Sequence, residues 1–251
     1  MISSQVIATS IEELRAITRV ELCVYDPDGT TVASTFDNKD RSFVESPADS
    51  QVIGFDHLLK IMDEGELAFV LVARGSSDDT YVVGRIAASQ IQQLMAAYKE
   101  RFDRNNFFQN LLLDNLLLVD IYNRAKKLHI QTDVNRVVMI VETENGKDSN
   151  ILEMMRSYYS NNSGDFVTAV DENNVIIVKD LSEGESMKEI EKTAAGIEKF
   201  LQKEHMSGIH IAYGTVVKEI KEVSRSYKEA KMALDVGKIF YNGKHVVAYG
   251  T

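Results

Sequence analysis

The sequence predicts an α+β protein with an N-terminal antiparallel sheet, a long connecting helix and a C-terminal α/β sandwich. Three features of the chain lead to this prediction. Residues 80–130 contain no proline and repeat apolar residues every three or four positions, which is the period of a helix. The segment before them reads as short strands joined by turns, whereas the segment after them alternates strands with helices. We therefore divide the chain into regions 1–79, 80–130 and 131–251.

The composition excludes several classes of protein. The chain has 251 residues, of which 44% are hydrophobic and 26% charged, as in an ordinary globular protein long enough for two domains. The single cysteine, Cys23, cannot form an internal disulfide, and the N-terminus lacks the apolar core of a signal peptide. Asp114 and Asp120 interrupt the most apolar helical run, which argues against a membrane span. We expect a cytoplasmic protein with no membrane partner.

The acidic charge is concentrated in the first region. The net charge is −10, and residues 1–79 alone hold fifteen acidic and six basic side chains. Nucleic-acid binding requires a basic surface that releases counterions, and neither half of the chain provides one. We expect any contact with DNA to be made by a domain outside this chain.

The first region predicts one helix and two β-hairpins. Ser3 or Ser4 caps a helix that runs to about Thr18. Strands are expected at 20–25, 30–34, 57–62 and 67–73, with turns at 26–29 and 63–66. Residues 37–50 are rich in polar and turn residues and predict a loop with one short helical turn.

This order of elements is typical of a PAS- or GAF-like sensor, in which a sheet closes over a small pocket and an exit helix carries the signal. The pocket is expected between the sheet and the variable segment, because ligand sites are concave and mostly apolar with a few polar groups. The candidate ligand-binding residues are Arg41, His57, Lys60, Arg74, Ser77 and Thr80. Free N–H groups at the helix start would suit a carboxylate, so we expect a small organic acid as effector. In the alternative interpretation Lys60 and Arg74 are solvated strand-end charges, and His57 is an ordinary surface or core histidine.

Residues 107–118 are apolar on every side of the predicted helix, so both faces should be covered by protein. A second copy of the chain would cover one face and form a parallel homodimer. The expected seam residues are Ile91, Leu94, Tyr98, Phe108, Leu112 and Leu118. A buried connecting helix in a monomer is the alternative. The charged residues at 99–106 indicate an exposed turn of helix or a kink.

The third region predicts a sandwich of ferredoxin or palm type. Its order of elements is strand, helix, hairpin, helix, strand, helix, with a possible edge strand at the end. These elements are expected at 136–143, 150–160, 166–170, 175–179, 186–203, 208–214, about 220–234 and 246–248.

Two stretches of this region, RVVMIVETE and GIHIAYGTVVKEIKEVSRSYKEAKMALDVGK, resemble the central GGDEF-like domain of bacterial transcription regulators of the CdaR (carbohydrate diacid regulator) and PucR type. In that family a strand ending in glycine precedes a helix with the pattern S-Y-x-x-A-x-x-A, here Ser226, Tyr227, Ala230 and Ala233. The resemblance covers about residues 107–251.

The hairpin VYDPDGTTVAS is similar to the start of the diacid-recognition domain of these regulators. The resemblance implies a sensor, a central domain and then a helix-turn-helix. We find no helix-turn-helix, and the segment FDNKDRSFVESPADSQVIGFDH replaces the family's glycine-rich middle of the sensor. This difference from the family puts a sugar diacid in doubt as the ligand and leaves the identity of the ligand open.

A catalytic role is not expected. An active diguanylate cyclase resembles this topology but needs paired acids for Mg²⁺ and a glycine-rich hairpin tip. The tip here is Asp171-Glu172-Asn173-Asn174, and Glu142 and Glu144 at the end of the first strand are equally explained as turn residues. We expect no enzyme activity, no cofactor and no metal.

Together these observations predict a small-molecule-responsive transcription regulator that lacks its DNA-binding domain in this chain. Two alternatives remain: a degenerate cyclase-like domain that binds a nucleotide as effector, and a dimerisation module without a ligand.

Overall fold

The computed structural model describes residues 2–37, 39–40, 48–77, 79–143, 151–159, 164–182, 187–240 and 245–250. The chain forms two compact units, Met1–Phe102 and Asp103–Thr251. The region 80–130 is divided between them, since one helix runs from Asp79 to Leu112 across the boundary. Among the described residues, none of the helices combines the length and the apolar character needed to cross a membrane.

The first unit is an antiparallel five-stranded sheet with helices on one face. Its elements are α1 (Ser4–Thr18), β1 (Glu21–Tyr25), β2 (Thr31–Ser34), β3 (Ser50–Ile53), β4 (Asp56–Asp63), β5 (Glu66–Arg74) and the start of α2 (Asp79–Leu112). The strand order is β2-β1-β5-β4-β3. Both predicted hairpins and the first helix are confirmed, with the Ser3 hydroxyl accepting from the N–H of Val6. Strand β3 reaches into the segment predicted as a loop and pairs with β4.

Both faces of this sheet are buried, which explains why its strands are apolar without alternation. Residues of α1 and α2, such as Ile11 and Ile91, pack against one face with Leu59 and Leu71. Gly84 allows the close approach of α2, because a Cβ at this position would lie 2.8 Å from Leu59 Cδ1. The opposite face carries a second apolar cluster, described below.

The second unit is an α/β sandwich, as predicted. Its elements are the end of α2, α3 (Leu118–Lys127), β6 (Arg136–Glu142), α4 (Ile151–Tyr158), β7 (Phe166–Ala169), β8 (Asn174–Asp180), α5 (Met187–Lys203), β9 (His210–Tyr213), a 3₁₀ turn (Ile220–Glu222), α6 (Val223–Phe240) and β10 (Val246–Ala248). The strand order is β10-β9-β6-β8-β7, with β10 parallel to β9 and the other pairs antiparallel. Alternate residues of β6 face two separate cores: Val138 and Ile140 pack with α2, α3 and α6, whereas Met139 packs with α4 and α5.

The charged stretch 99–106 is continuous helix, which is one of the two structures that the sequence predicted for it. The helix ends at Leu112, and Asp114 takes a left-handed conformation with φ of 61°. The N–H of Asn115 then bonds the carbonyl of Asn110 at 2.9 Å, which closes the turn.

Candidate functional site

The sheet face opposite α1 and α2 in the first unit has an apolar floor with charged residues at one end. The floor consists of the buried side chains of Cys23, Tyr25, Leu58, Val70 and Val72. Strand register places Asp56 directly opposite Arg74 at the end of this floor. Side chains alternate along a strand, so Asp56, Leu58 and Lys60 share this face while Leu59 faces the helices.

Arg74 is fixed at the end of the floor by two neighbours. Its Nε and Nη2 donate to the two carboxylate oxygens of Asp56 at 2.7 and 3.0 Å, a bidentate pair. Its Cζ lies 4.3 Å from the centre of the Phe36 ring. The hydrogen bond to Asp56 raises the pKa of Arg74, so the guanidinium stays charged. Among the described residues, Nη1 of Arg74 has no hydrogen-bond partner, and the side chain is 42% exposed.

A cavity of about 530 Å³ opens beside this arginine. It is lined by Ile53, Phe55, Asp56, Arg74, Gly75 and Ser76. Its size is within the range of about 300–1,000 Å³ that is usual for small-molecule sites. Apolar side chains on one side and a guanidinium edge on the other can bind a small molecule with an apolar body and a carboxylate end.

A second cavity of about 640 Å³ has a different chemical character. It is lined by Thr31, Ser34, Phe36, Asp37, Lys39 and Asp40. The carboxylate of Asp40 accepts from the N–H and the hydroxyl of Thr31 at 3.0 and 3.1 Å, so this acid is used to hold the chain. Two aspartates against one lysine make this cavity less suitable for an anion than the cavity beside Arg74.

Two of the other predicted ligand residues, Lys60 and His57, do not join Arg74. Lys60 shares its sheet face but lies four residues from Asp56 along β4, about 13 Å at about 3.3 Å per residue. His57 faces the helices, and its ring lies 6.0 Å from that of Tyr81. Its Nδ1 is buried and has no hydrogen-bond partner among the residues that the structure describes. Arg41 lies outside the described residues.

The predicted anion site at the start of α2 needs correction. The N–H of Thr80 donates to the carbonyl of Ser77 at 3.0 Å, and the two hydroxyl groups lie 3.3 Å apart. Thr80 is fully buried. The polar groups of Thr80 are therefore bonded within the turn and are not presented to a ligand.

The predicted seam residues lie mostly inside the two units. Ile91 is fully buried in the core of the first unit, and Leu94 and Tyr98 are partly buried against the same core. Phe108 and Leu112 are buried in the second unit. A side chain with almost no exposed surface in its own unit cannot contact a second chain, so Ile91, Phe108 and Leu112 are removed from the seam. Leu118, by contrast, is 55% exposed.

The end of α2 is also attached to the second sheet by polar contacts that sequence reasoning missed. The Gln109 amide donates to the carbonyl of Ala169 at 2.6 Å, and the buried Thr168 hydroxyl donates to Asn105 Oδ1 at 2.8 Å. The rings of Phe108 and Phe166 stack with their centres 4.3 Å apart. Asn105 and Gln109 are one helical turn apart, so they lie on the same face of α2. This spacing of two polar residues was the feature of the sequence that could have predicted the contact.

Two of the acids that would correspond to a cyclase site, Glu142 and Asp171, are engaged in hydrogen bonds within the unit. Both carboxylate oxygens of Glu142 bond the Lys238 ammonium, at 2.9 and 2.7 Å. Asp171 Oδ1 accepts from the N–H groups of Asn173 and Asn174 at the hairpin tip. Glu144 lies outside the described residues. Within the described ranges, no three acidic, histidine or cysteine side chains form a group suited to a metal ion.

The residues of the S-Y-x-x-A-x-x-A pattern hold α6 on the sheet. The buried Ser226 hydroxyl accepts from the N–H of Val138 at 3.0 Å and donates to the carbonyl of Thr215 at 2.8 Å. Gly214 is required because a Cβ there would collide with the backbone carbonyl of Ser226. The small, buried Ala230 allows the helix to lie close to the strands. The residues of this pattern therefore determine how α6 packs against the second sheet.

Comparisons with known proteins place this fold in context. Residues 115–236 match the model of the GGDEF-like domain family, inside the range 107–251 expected from the sequence. PelD 158-CT from Pseudomonas aeruginosa PAO1, a solved structure, is 11% identical over 95% of this chain and 88% of that chain, with a TM-score of 0.30. No curated protein matches the chain. Residues 115–236, which lie in the second unit, are thus similar to a GGDEF-like domain.

Proposed function

We propose that this chain is the sensor and central regulatory part of a transcription regulator of the CdaR and PucR type. In this proposal a small molecule binds the first unit and acts on the GGDEF-like domain through α2. The observation that carries the proposal is the packing of α2, whose two halves belong to different hydrophobic cores. Ile91 is fully buried in the first core and Leu112 in the second. In this proposal a change in the packing of one half is passed to the other along the continuous helix.

The proposed ligand is a small organic acid bound in the cavity beside Arg74. Its carboxylate would accept a hydrogen bond from Nη1, and its apolar part would lie against Ile53 and Phe55. Asp56 neutralises much of the arginine charge, so recognition depends on hydrogen-bond geometry more than on long-range attraction. The ligand must bind one packing state of α2 better than the other, since only differential affinity shifts an equilibrium.

The GGDEF-like domain is proposed to be regulatory and not catalytic. The salt bridge between Glu142 and Lys238, and the turn closed by Asp171, support this, because Mg²⁺ binding would have to break these contacts. DNA binding is assigned to a domain outside this chain, consistent with the net charge of −10.

A second candidate is favoured by the family match at residues 115–236. A GGDEF-like domain that has lost catalysis could keep the nucleotide site and use the nucleotide as its effector. A dimerisation module without any ligand is the third candidate, and ligand chemistry separates all three.

A thermal-shift screen with small organic acids, sugar acids, amino acids, purine breakdown products and nucleotides tests the proposal. At a hundred times its dissociation constant a ligand adds about 2.7 kcal/mol. At about 2–4 °C per kcal/mol the melting temperature should rise by several degrees. We expect the shift with an acid to disappear in Arg74→Gln and to persist in Arg85→Gln, an exposed arginine of the same unit.

The other outcomes identify the competing functions. A shift with nucleotides alone that survives Arg74→Gln would move the ligand site to the GGDEF-like domain. The absence of any shift would favour the dimerisation module. Because Arg74→Gln removes the guanidinium that Asp56 binds, the double variant Asp56→Asn, Arg74→Gln is measured beside it, and binding of the acid by this double variant would contradict the proposed site.

A further inference from the structure

The guanidinium of Arg74 has two hydrogen-bonding edges, and Asp56 occupies one of them. The N–H of Nε and one N–H of Nη2 donate to the Asp56 carboxylate at 2.7 and 3.0 Å. A guanidinium has five N–H groups, so both N–H groups of Nη1 and the second N–H of Nη2 remain. Among the residues that the structure describes, these three groups make no hydrogen bond. Together they form a second edge that can bind two oxygens of an anionic head group.

The neighbours of Arg74 fix the direction of this second edge. The centre of the Phe36 ring lies 4.3 Å from Arg74 Cζ, so the ring covers one face of the guanidinium. The bidentate pair with Asp56 holds the guanidinium from its Nε side. An anion that binds the second edge is therefore held at one place relative to the Asp56 carboxylate.

An anion at the second edge lies close to the charge of Asp56. Nη2 would donate to both partners, at 3.0 Å to Asp56 Oδ2 and at about 3 Å to the ligand oxygen. Two oxygens that share one donor atom at these lengths are at most about 6 Å apart. The Asp56 side chain is only 10% exposed, so salt and water screen its charge weakly over this distance. The head group is thus bound by Arg74 and repelled by Asp56 at the same time.

The charges around the cavity balance before any ligand binds. Among the described residues that line it, Arg74 is the only cation and Asp56 the only anion. A head group with one negative charge pairs with the free edge of Arg74. A second negative charge on the same head group would find no further cation among these residues, and a charge that loses water without a partner is costly.

We propose that this site accepts head groups with a single negative charge, such as carboxylates, and that Asp56 excludes head groups with two, such as phosphate monoesters. This selectivity rests on the proposed function, because Arg74 must be the anion site, and it adds the charge class of the ligand. Asp56 then has two roles, since it holds the guanidinium in place and limits the charge of what the guanidinium binds. Sugar phosphates and nucleotides with a terminal phosphate are therefore not ligands of Arg74.

Calorimetric titration with butyl sulfate and butyl phosphate measures this selectivity, because the two probes share a shape and differ in charge. A phosphate monoester carries about −1.5 to −2 charges at pH 7, whereas a sulfate monoester carries one. We expect the wild-type chain to bind pentanoate and butyl sulfate, and to bind butyl phosphate more weakly. Asp56→Asn should strengthen butyl phosphate relative to butyl sulfate by about tenfold or more, because a like charge facing the ligand is removed. The matched control, Asp63→Asn, removes an exposed charge at the other end of β4 and should leave this ratio unchanged.

The charge of the phosphate can also be varied on the wild-type chain, so the test does not depend on the folding of a variant. A phosphate monoester loses its second proton near pH 6, so its affinity relative to butyl sulfate should fall between about pH 5 and about pH 8. If pentanoate and butyl sulfate bind through Arg74 but the ratio changes neither with pH nor in Asp56→Asn, the selectivity is overturned and the proposed function stands. If neither of these monoanions binds, or if their binding survives Arg74→Gln, both are overturned.

Discussion

Replacing Leu112 by alanine tests where the second half of α2 is packed. Leu112 is fully buried in the core formed with α3, α6 and the second sheet. The substitution removes three buried carbons, worth about 2.4 kcal/mol at about 0.8 kcal/mol each. The cavity left behind raises the loss, and buried leucines replaced by alanine cost about 2.7–5 kcal/mol. We expect the free energy of unfolding of the second unit to fall by about 3–5 kcal/mol.

The assay combines thermal unfolding with light scattering. A loss of about 3 kcal/mol corresponds to roughly 6–12 °C in the melting temperature of a unit of this size. The control is Leu118→Ala, because Leu118 is 55% exposed and a change there should cost less than about 1 kcal/mol. An unchanged melting temperature together with a halved mass would refute the reasoning, since this result is the one that a dimer seam at Leu112 predicts.

Two further predictions concern the second unit. Ser226→Ala should lower the free energy of unfolding by about 1–3 kcal/mol in urea titrations, because the buried N–H of Val138 loses its acceptor. Thr193→Ala, whose hydroxyl bonds a carbonyl of its own helix, should have a smaller effect. Burial raises the pKa of Tyr159 above its ordinary value, so the folded state keeps a proton that the unfolded chain loses near pH 10, and stability falls as the pH rises further. Tyr159→Phe should make this alkaline loss shallower in urea titrations repeated from pH 8 to pH 11.

Elements with a strong local signal were predicted well. Helix α1 has a serine cap and a clear apolar stripe, and the first hairpin has proline and glycine at the turn positions that require them. Strand β3 was missed because its four residues, Ser50–Ile53, are too few for an alternating pattern. It forms only because β4 offers a free edge, and that edge is a property of the folded sheet.

The register of the second hairpin illustrates what sequence reasoning could not reach. Counting outward from the turn pair Asp63 and Glu66 without interruption would place Asp56 opposite Ala73. An irregularity between Ile61 and Met62 shifts the register by one residue and brings Arg74 opposite Asp56. The salt bridge at the candidate ligand site depends on this single shift, which no pattern of residue types in the hairpin indicates.

The apolar segment 107–118 was expected to be covered on both sides, but it is covered only in its first half, and that cover comes from the same chain. Phe108 and Leu112 are enclosed by a core that includes α3 and α6, elements far along the sequence. Periodicity shows that a face must be buried and does not show what buries it.

The two buried positions of α2 set a quantitative condition on signalling. Ile91 and Leu112 belong to different cores and are separated by about 30 Å of helix at 1.5 Å per residue. To convert a population of 1:99 into 99:1, a ligand must bind one packing state about 5.5 kcal/mol more tightly than the other. A ligand with micromolar affinity gains about 8.2 kcal/mol in total. Most of that energy would have to be differential, so the cavity beside Arg74 must change shape with the packing of α2, and a ligand that fits both states equally well would bind without any signal.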